Sequence, residues 1–96
     1  MDKEYIKITE ICKWYKVERT FIRSLHEHGL VQIVEVDQEE VLTPEQIADV
    51  EKMIRMHYDL EINIEGIDVV YNLLNQVTDL QVEVHRLRNR LKKYED

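Results

Sequence analysis

The residues able to do chemistry in this chain are few and scattered. The histidines are His26, His28, His57 and His85, and the single cysteine is Cys12. His26 and His28 stand two apart, so on a helix they diverge. His57 is near Asp59 but has no second ligand four residues on. Metal binding needs convergent donors, and none converge here. Thr9, Thr20, Ser24, Thr43 and Thr78 lack the context of a nucleophile elbow. There is no glycine-rich phosphate loop, and 96 residues are too few to surround a substrate and keep a core. The expectation is no catalysis, no metal, no cofactor and no small-molecule substrate. Cys12 lies in an apolar helical pattern and reads as a structural thiol, with no disulfide partner.

Charge placement is the informative feature. The chain has 13 lysines and arginines against 20 aspartates and glutamates, a net charge of −7. From Ser24 through Glu51 there is no lysine or arginine, while Glu27, Glu35, Asp37, Glu39, Glu40, Glu45, Asp49 and Glu51 all fall inside that span. A broad nucleic-acid surface needs cations to release counterions from phosphate, so this acidity argues against one. Arg19, Thr20 and Arg23 are the residues that could meet DNA, but Glu18 and Glu27 flank them. A second bias lies near the end, where Arg86, Arg88, Arg90, Lys92 and Lys93 crowd together and suit a helix C-terminus.

The elements that carry these residues follow from periodicity and punctuation. Residues 1–7 alternate loosely and suggest a short strand or arm. Thr9 is an expected N-cap, with Ile8 as a staple and Ile11, Cys12 and Tyr15 on one face of a helix over 9–15. Trp14 falls beside that face. Glu18 opens a second helix over 18–28 on Phe21, Ile22 and Leu25, and Gly29 stops it in a left-handed cap with Leu30 tucking back. Val31 to Val36 alternates, Asp37-Gln38-Glu39-Glu40 makes a turn, and Val41-Leu42 returns, a hairpin over 31–42. Thr43-Pro44-Glu45-Gln46 starts a third helix over 44–60, with Thr43 as N-cap and Gln46 completing a capping box.

Asn63 then caps one long helix over 63–96, roughly 45 Å of it, with Gly66 in the first turn marking a close approach. Its apolar positions are Ile67, Val70, Leu74, Val77, Leu80, Val84, Leu87, Leu91 and Tyr94. Spacings of three and four make a coiled-coil seam, which slips at Leu74–Val77–Leu80. The expectation is that Ile67 to Val77 pack on the chain's own domain. Leu80, Val84, Leu87, Leu91 and Tyr94 would then form the seam of a homodimer. The fold class is mostly α: a winged helix-turn-helix over 1–62 with a small hairpin wing, then a long coiled-coil-like helix. With no apolar run of spanning length, the expected setting is the cytoplasm.

Ile8-Thr9-Glu10-Ile11-Cys12, then Val17 through Gly29-Leu30-Val31, resemble the helix-turn-helix of MerR-type regulators. Those proteins carry an Arg-Tyr-Tyr run in the second helix, where this chain has Arg23-Ser24-Leu25. Met53 to Leu60, Glu65-Gly66-Ile67-Asp68-Val69-Val70 and Leu87-Arg88-Asn89-Arg90-Leu91 resemble the narrower chaperone-modulator family, CbpM. That resemblance implies a non-enzymatic regulator that binds the J-domain of a DnaJ-like co-chaperone of the CbpA type. It also implies inhibition of that co-chaperone's stimulation of a DnaK-type chaperone. A J-domain presents a strongly basic helix, so an acidic wing suits it. On charge alone the expected contacts are Glu35, Asp37, Glu39, Glu40, Glu45 and Asp49, with Val36 or Val41 as apolar anchors. The alternative is a MerR-like DNA-binding transcriptional regulator that uses Arg19, Thr20 and Arg23.

Overall fold

The computed structural model describes residues 4–95. The chain runs β1 (Ile6–Lys7), α1 (Ile8–Tyr15), α2 (Arg19–Glu27), β2 (Val34–Val36) and β3 (Glu39–Leu42). A single 3₁₀ turn (Pro44–Gln46) follows, then α3 (Ile47–Tyr58) and α4 (Ile64–Lys92). This is a mostly helical fold with a small antiparallel sheet and a long C-terminal helix, consistent with a MerR-like winged helix-turn-helix. The core is Ile8 and Ile11 of α1, Phe21, Ile22 and Leu25 of α2, Leu42 of β3, Val50, Met53 and Ile54 of α3, and Ile67 of α4, joined by Val17 and Val31.

Several local expectations hold in detail. Gly29 has φ +75°, Gly29 N–H donates to His26 O at 2.9 Å and Leu30 N–H to Leu25 O at 2.9 Å. Those two bonds are the Schellman pattern, and Leu30 packs back on the core. Asn63 Oδ1 accepts from Gly66 N–H at 2.8 Å, so Asn63 caps α4 as expected. A Cβ on Gly66 would lie 2.7 Å from Ile62 Cγ2. The close approach is real, although the neighbour is the connection before the helix.

Others differ. Lys7, not Thr9, is the N-cap of α1, and it makes no side-chain cap bond. Helix geometry starts at Ile8, which is fully buried, because β1 delivers the chain straight into it. The wing is not a lone hairpin. β1 pairs with β3, giving a three-stranded sheet in the order β1-β3-β2. The turn is two residues, Asp37 and Gln38, both with positive φ (51° and 65°). That is the twist a tight hairpin prefers, achieved here without glycine. Glu39 and Glu40 therefore belong to β3 rather than to the turn, and Val31 to Ile33 precede β2.

The capping box at Thr43 is not formed. Gln46 instead clasps Gln32: Gln32 N–H donates to Gln46 Oε1 at 2.6 Å, and Gln46 Nε2 donates to Gln32 O at 3.0 Å. The third helix is α only from Ile47 to Tyr58.

The largest correction concerns α4. Ile67 is buried and Tyr71 half-buried, but every described residue from Asn72 on is exposed. Leu74 (44 % exposed) and Val77 (48 %) do not pack on the chain's own domain. The body ends at about Tyr71, whose hydroxyl donates to Asp49 O at 3.3 Å. The helix runs unbroken past the seam's slip and gives the molecule a long dimension of 59 Å.

Candidate functional site

In a helix-turn-helix the second helix is the one that reaches a partner, so its exposed face is the place to begin. Phe21, Ile22 and Leu25 turn inward and leave Arg19 and Arg23 outside. Those two stand four apart, so they share one face of α2. Residues alternate across a strand, so Glu40 lies on the same face of β3 as Leu42, which is buried in the core. Two residues beyond that core, Glu40 meets α2.

The contact is a fork. Arg19 Nη2 donates to Glu40 Oε1 at 2.9 Å. Arg23 Nη2 donates to Oε1 at 2.9 Å and to Oε2 at 2.8 Å. Bonds to Arg23 and Arg19 hold the Glu40 carboxyl below the usual carboxylate range. The arginine side chains remain about half exposed, at 53 % and 48 %. A solvent-exposed pair contributes little to stability, so the fork matters chiefly for where charge is displayed.

The register explains why the fork forms. Glu35 stands directly opposite Glu40 across the β2–β3 pair. Two carboxylates there repel unless cations intervene, and Arg19 and Arg23 intervene at Glu40. Next along β3, Glu39 pairs with Lys7 at 3.0 Å, and that bond raises the Lys7 ammonium's pKa. Lys7, Thr9, Arg19, Glu35, Gln38, Glu39 and Glu40 line one polar groove between the wing and the starts of α1 and α2.

The six expected contact residues thus divide. Glu35, Glu39 and Glu40 share that groove, and Asp37 sits at the wing tip. Glu45 lies in the 3₁₀ turn, and Asp49 belongs to a second groove with His28 and Tyr71, beside α4. Glu39 and Glu40 already hold cations of this chain. Among the described residues, neither Glu35 nor Asp37 has an ion pair or a side-chain hydrogen bond. Of the two suggested anchors, Val41 is 3 % exposed and belongs to the interior, while Val36 is half-buried. Val34 is more exposed, at 38 %. Thr20 Oγ1 donates to Glu18 Oε1 at 3.3 Å, in the first turn of α2.

Sequence reasoning missed the fork, the Gln46 clasp and the Tyr71–Asp49 tie. One signal could have found the first. A two-residue turn at Asp37-Gln38 places Glu35 against Glu40, and such a pair calls for cations at Arg19 and Arg23.

His57, His26 and Cys12 are each held within the fold. His57 Nδ1 is 2.9 Å from Ile62 O, and its ring stacks on Phe21 with centroids 4.7 Å apart. His26 Nδ1 accepts from Ile33 N–H at 3.2 Å, tying α2 to the wing. Burial pushes the half-buried Cys12 thiol up, partly offset by Arg19. Among the described residues no group of three histidine, cysteine or acidic side chains is placed to hold a metal ion. Nor is any helix among them long and apolar enough to cross a membrane.

Comparison with known proteins bears on the fold and the family. No curated protein and no solved structure is significantly similar to the chain. Residues 6–89, from β1 through most of α4, match the family described as MerR HTH family regulatory protein. The chain belongs to the MerR helix-turn-helix regulatory family.

Proposed function

We propose that this chain is a non-enzymatic, cytoplasmic regulator that binds a basic protein rather than DNA. Its partner is the J-domain of a DnaJ-like co-chaperone, and its effect is to block that co-chaperone's stimulation of a DnaK-type chaperone. The single observation that carries the choice of protein over DNA is the fork. The recognition helix offers two arginines, and a wing carboxylate holds both. The groove beside them is lined by Lys7 and Arg19 against Glu35, Glu39 and Glu40, so it offers no excess positive charge for counterion release. The J-domain as the particular partner rests on the resemblance to the chaperone-modulator family across nearly the whole chain.

Glu35 and Asp37 are the wing carboxylates free to meet an incoming basic helix, and Val34 and Val36, on the other face of β2, offer apolar contact to a partner that wraps the wing's edge. Charged rim contacts act mainly on association rate and salt dependence, and the apolar contacts supply the remainder. The exposed stripe of α4 pairs with a second copy of the chain. A pull-down with an isolated J-domain tests the partner. Binding by the wild type, weakened by Glu35→Lys with Asp37→Lys, is the expected result. Undiminished binding by that double variant would move the contact off the wing.

The family assignment keeps a second reading in view, a DNA-binding transcriptional regulator acting through Arg19, Thr20 and Arg23. Titrating random duplex DNA at rising salt separates the two. The regulator binds at low salt with a steep negative slope. The modulator shows no measurable binding.

A further inference from the structure

We propose that Glu40 is the residue that decides which class of partner this scaffold accepts. Its carboxylate caps an anion site that the rest of the fold has already built. Arg19 and Arg23 project from one face of α2, about half exposed, with their guanidinium groups brought to a single point. Two guanidiniums converging on one carboxylate are also the arrangement that grips a phosphate, which offers the same geometry of paired oxygens. Here Glu40 takes the phosphate's place, with three donor–acceptor contacts of 2.8–2.9 Å.

The cap is supplied from within the chain and so needs no partner to form. A nucleic-acid backbone would have to displace it and leave Glu40 beside Glu35 with no cation between them. A basic protein helix has no such conflict, because it adds cations to the same groove. One side chain thus excludes polyanions and admits polycations.

This inference rests on the preference for a basic partner over DNA proposed above, but not on the J-domain as that partner. It concerns which charge the groove accepts, and its test contains no co-chaperone. The experiment measures binding of the full chain to a random-sequence DNA duplex across a salt series, for the wild type, Glu40→Gln and Glu40→Thr. Both variants remove the charge, and threonine suits a strand position should glutamine not fold well. Uncapping should bring binding at 50 mM salt to at least about tenfold above the wild type's detection limit, with a log–log salt slope of about two, one for each arginine released. Adding Arg19→Ala and Arg23→Ala to either variant should abolish the gain. If a folded Glu40 variant binds no more tightly than the wild type, Glu40 is not the cap. The same holds if the gain survives loss of both arginines.

Discussion

Tyr71 and Glu40 are two side chains whose titration reports on the structure, and they respond at opposite ends of the pH scale. Burial, with Asp49 alongside, pushes the Tyr71 hydroxyl from 10.0 up to about 12. The folded state therefore holds this proton more tightly than the unfolded chain does. Its contribution is intact below pH 10 and is lost as pH rises toward 12. Thermal melts of Tyr71→Phe should show a smaller alkaline loss than the wild type between those values. At neutral pH they should show a destabilisation of about 1 kcal/mol from the missing hydrogen bond.

Glu40 has the reverse sign. Its carboxyl is held below the ordinary 4.5, so the fork contributes fully above that value and fades as pH falls through the lower folded one. Any gap in melting temperature between wild type and Glu40→Gln should be present at pH 7 and shrink under acid. Asn63 and Gly29 were legible from sequence because a cap and a left-handed stop each act within a few residues. Glu40 was legible as an acidic residue but not as a fork. Its partners lie 17 and 21 positions away, and only the sheet register brings them near.

Among the elements, the wing is where reading and structure part most. The alternation of Val31 to Val36 predicts a strand, yet the described strand is Val34–Val36. The residues before it are held by the Gln46 clasp instead of by a ladder. Gln46→Ala should remove both bonds to Gln32. The expected cost is about 1–2 kcal/mol, with faster amide exchange at Gln32, while exchange in α4 stays unchanged. Positive φ at Lys16, Asp37, Gln38 and Glu61 marks turns that no glycine announces, which is why the turn boundaries were hard to read. Gly29 is the contrasting case. Nothing lies within 4 Å of a Cβ there, so Gly29→Ala should cost about 1 kcal/mol through backbone conformation alone, measurable by denaturant unfolding.

For the molecule as a whole, the long helix gives the chain two separate faces, a polar wing groove at the body and an apolar stripe beyond it. The stripe was visible in the three-four spacing of Leu74 through Tyr94. What the spacing did not show is where the body stops covering it. The short third helix and the Tyr71–Asp49 tie set that limit at about Tyr71, so Leu74 and Val77 join Leu80 to Tyr94 as exposed seam. On the proposed pairing, the full chain should sediment as a dimer and a chain ending after Val77 as a monomer at the same concentration. A truncated chain that stays dimeric would place the interface on the body.

A MerR-type scaffold whose recognition arginines are held by its own wing is proposed to take a basic protein as partner. Calorimetric titration of the full chain with an isolated J-domain tests it most directly. Saturable binding that weakens as salt rises is expected. Absence of binding at low salt, under conditions where the same chain binds random duplex DNA, would contradict it.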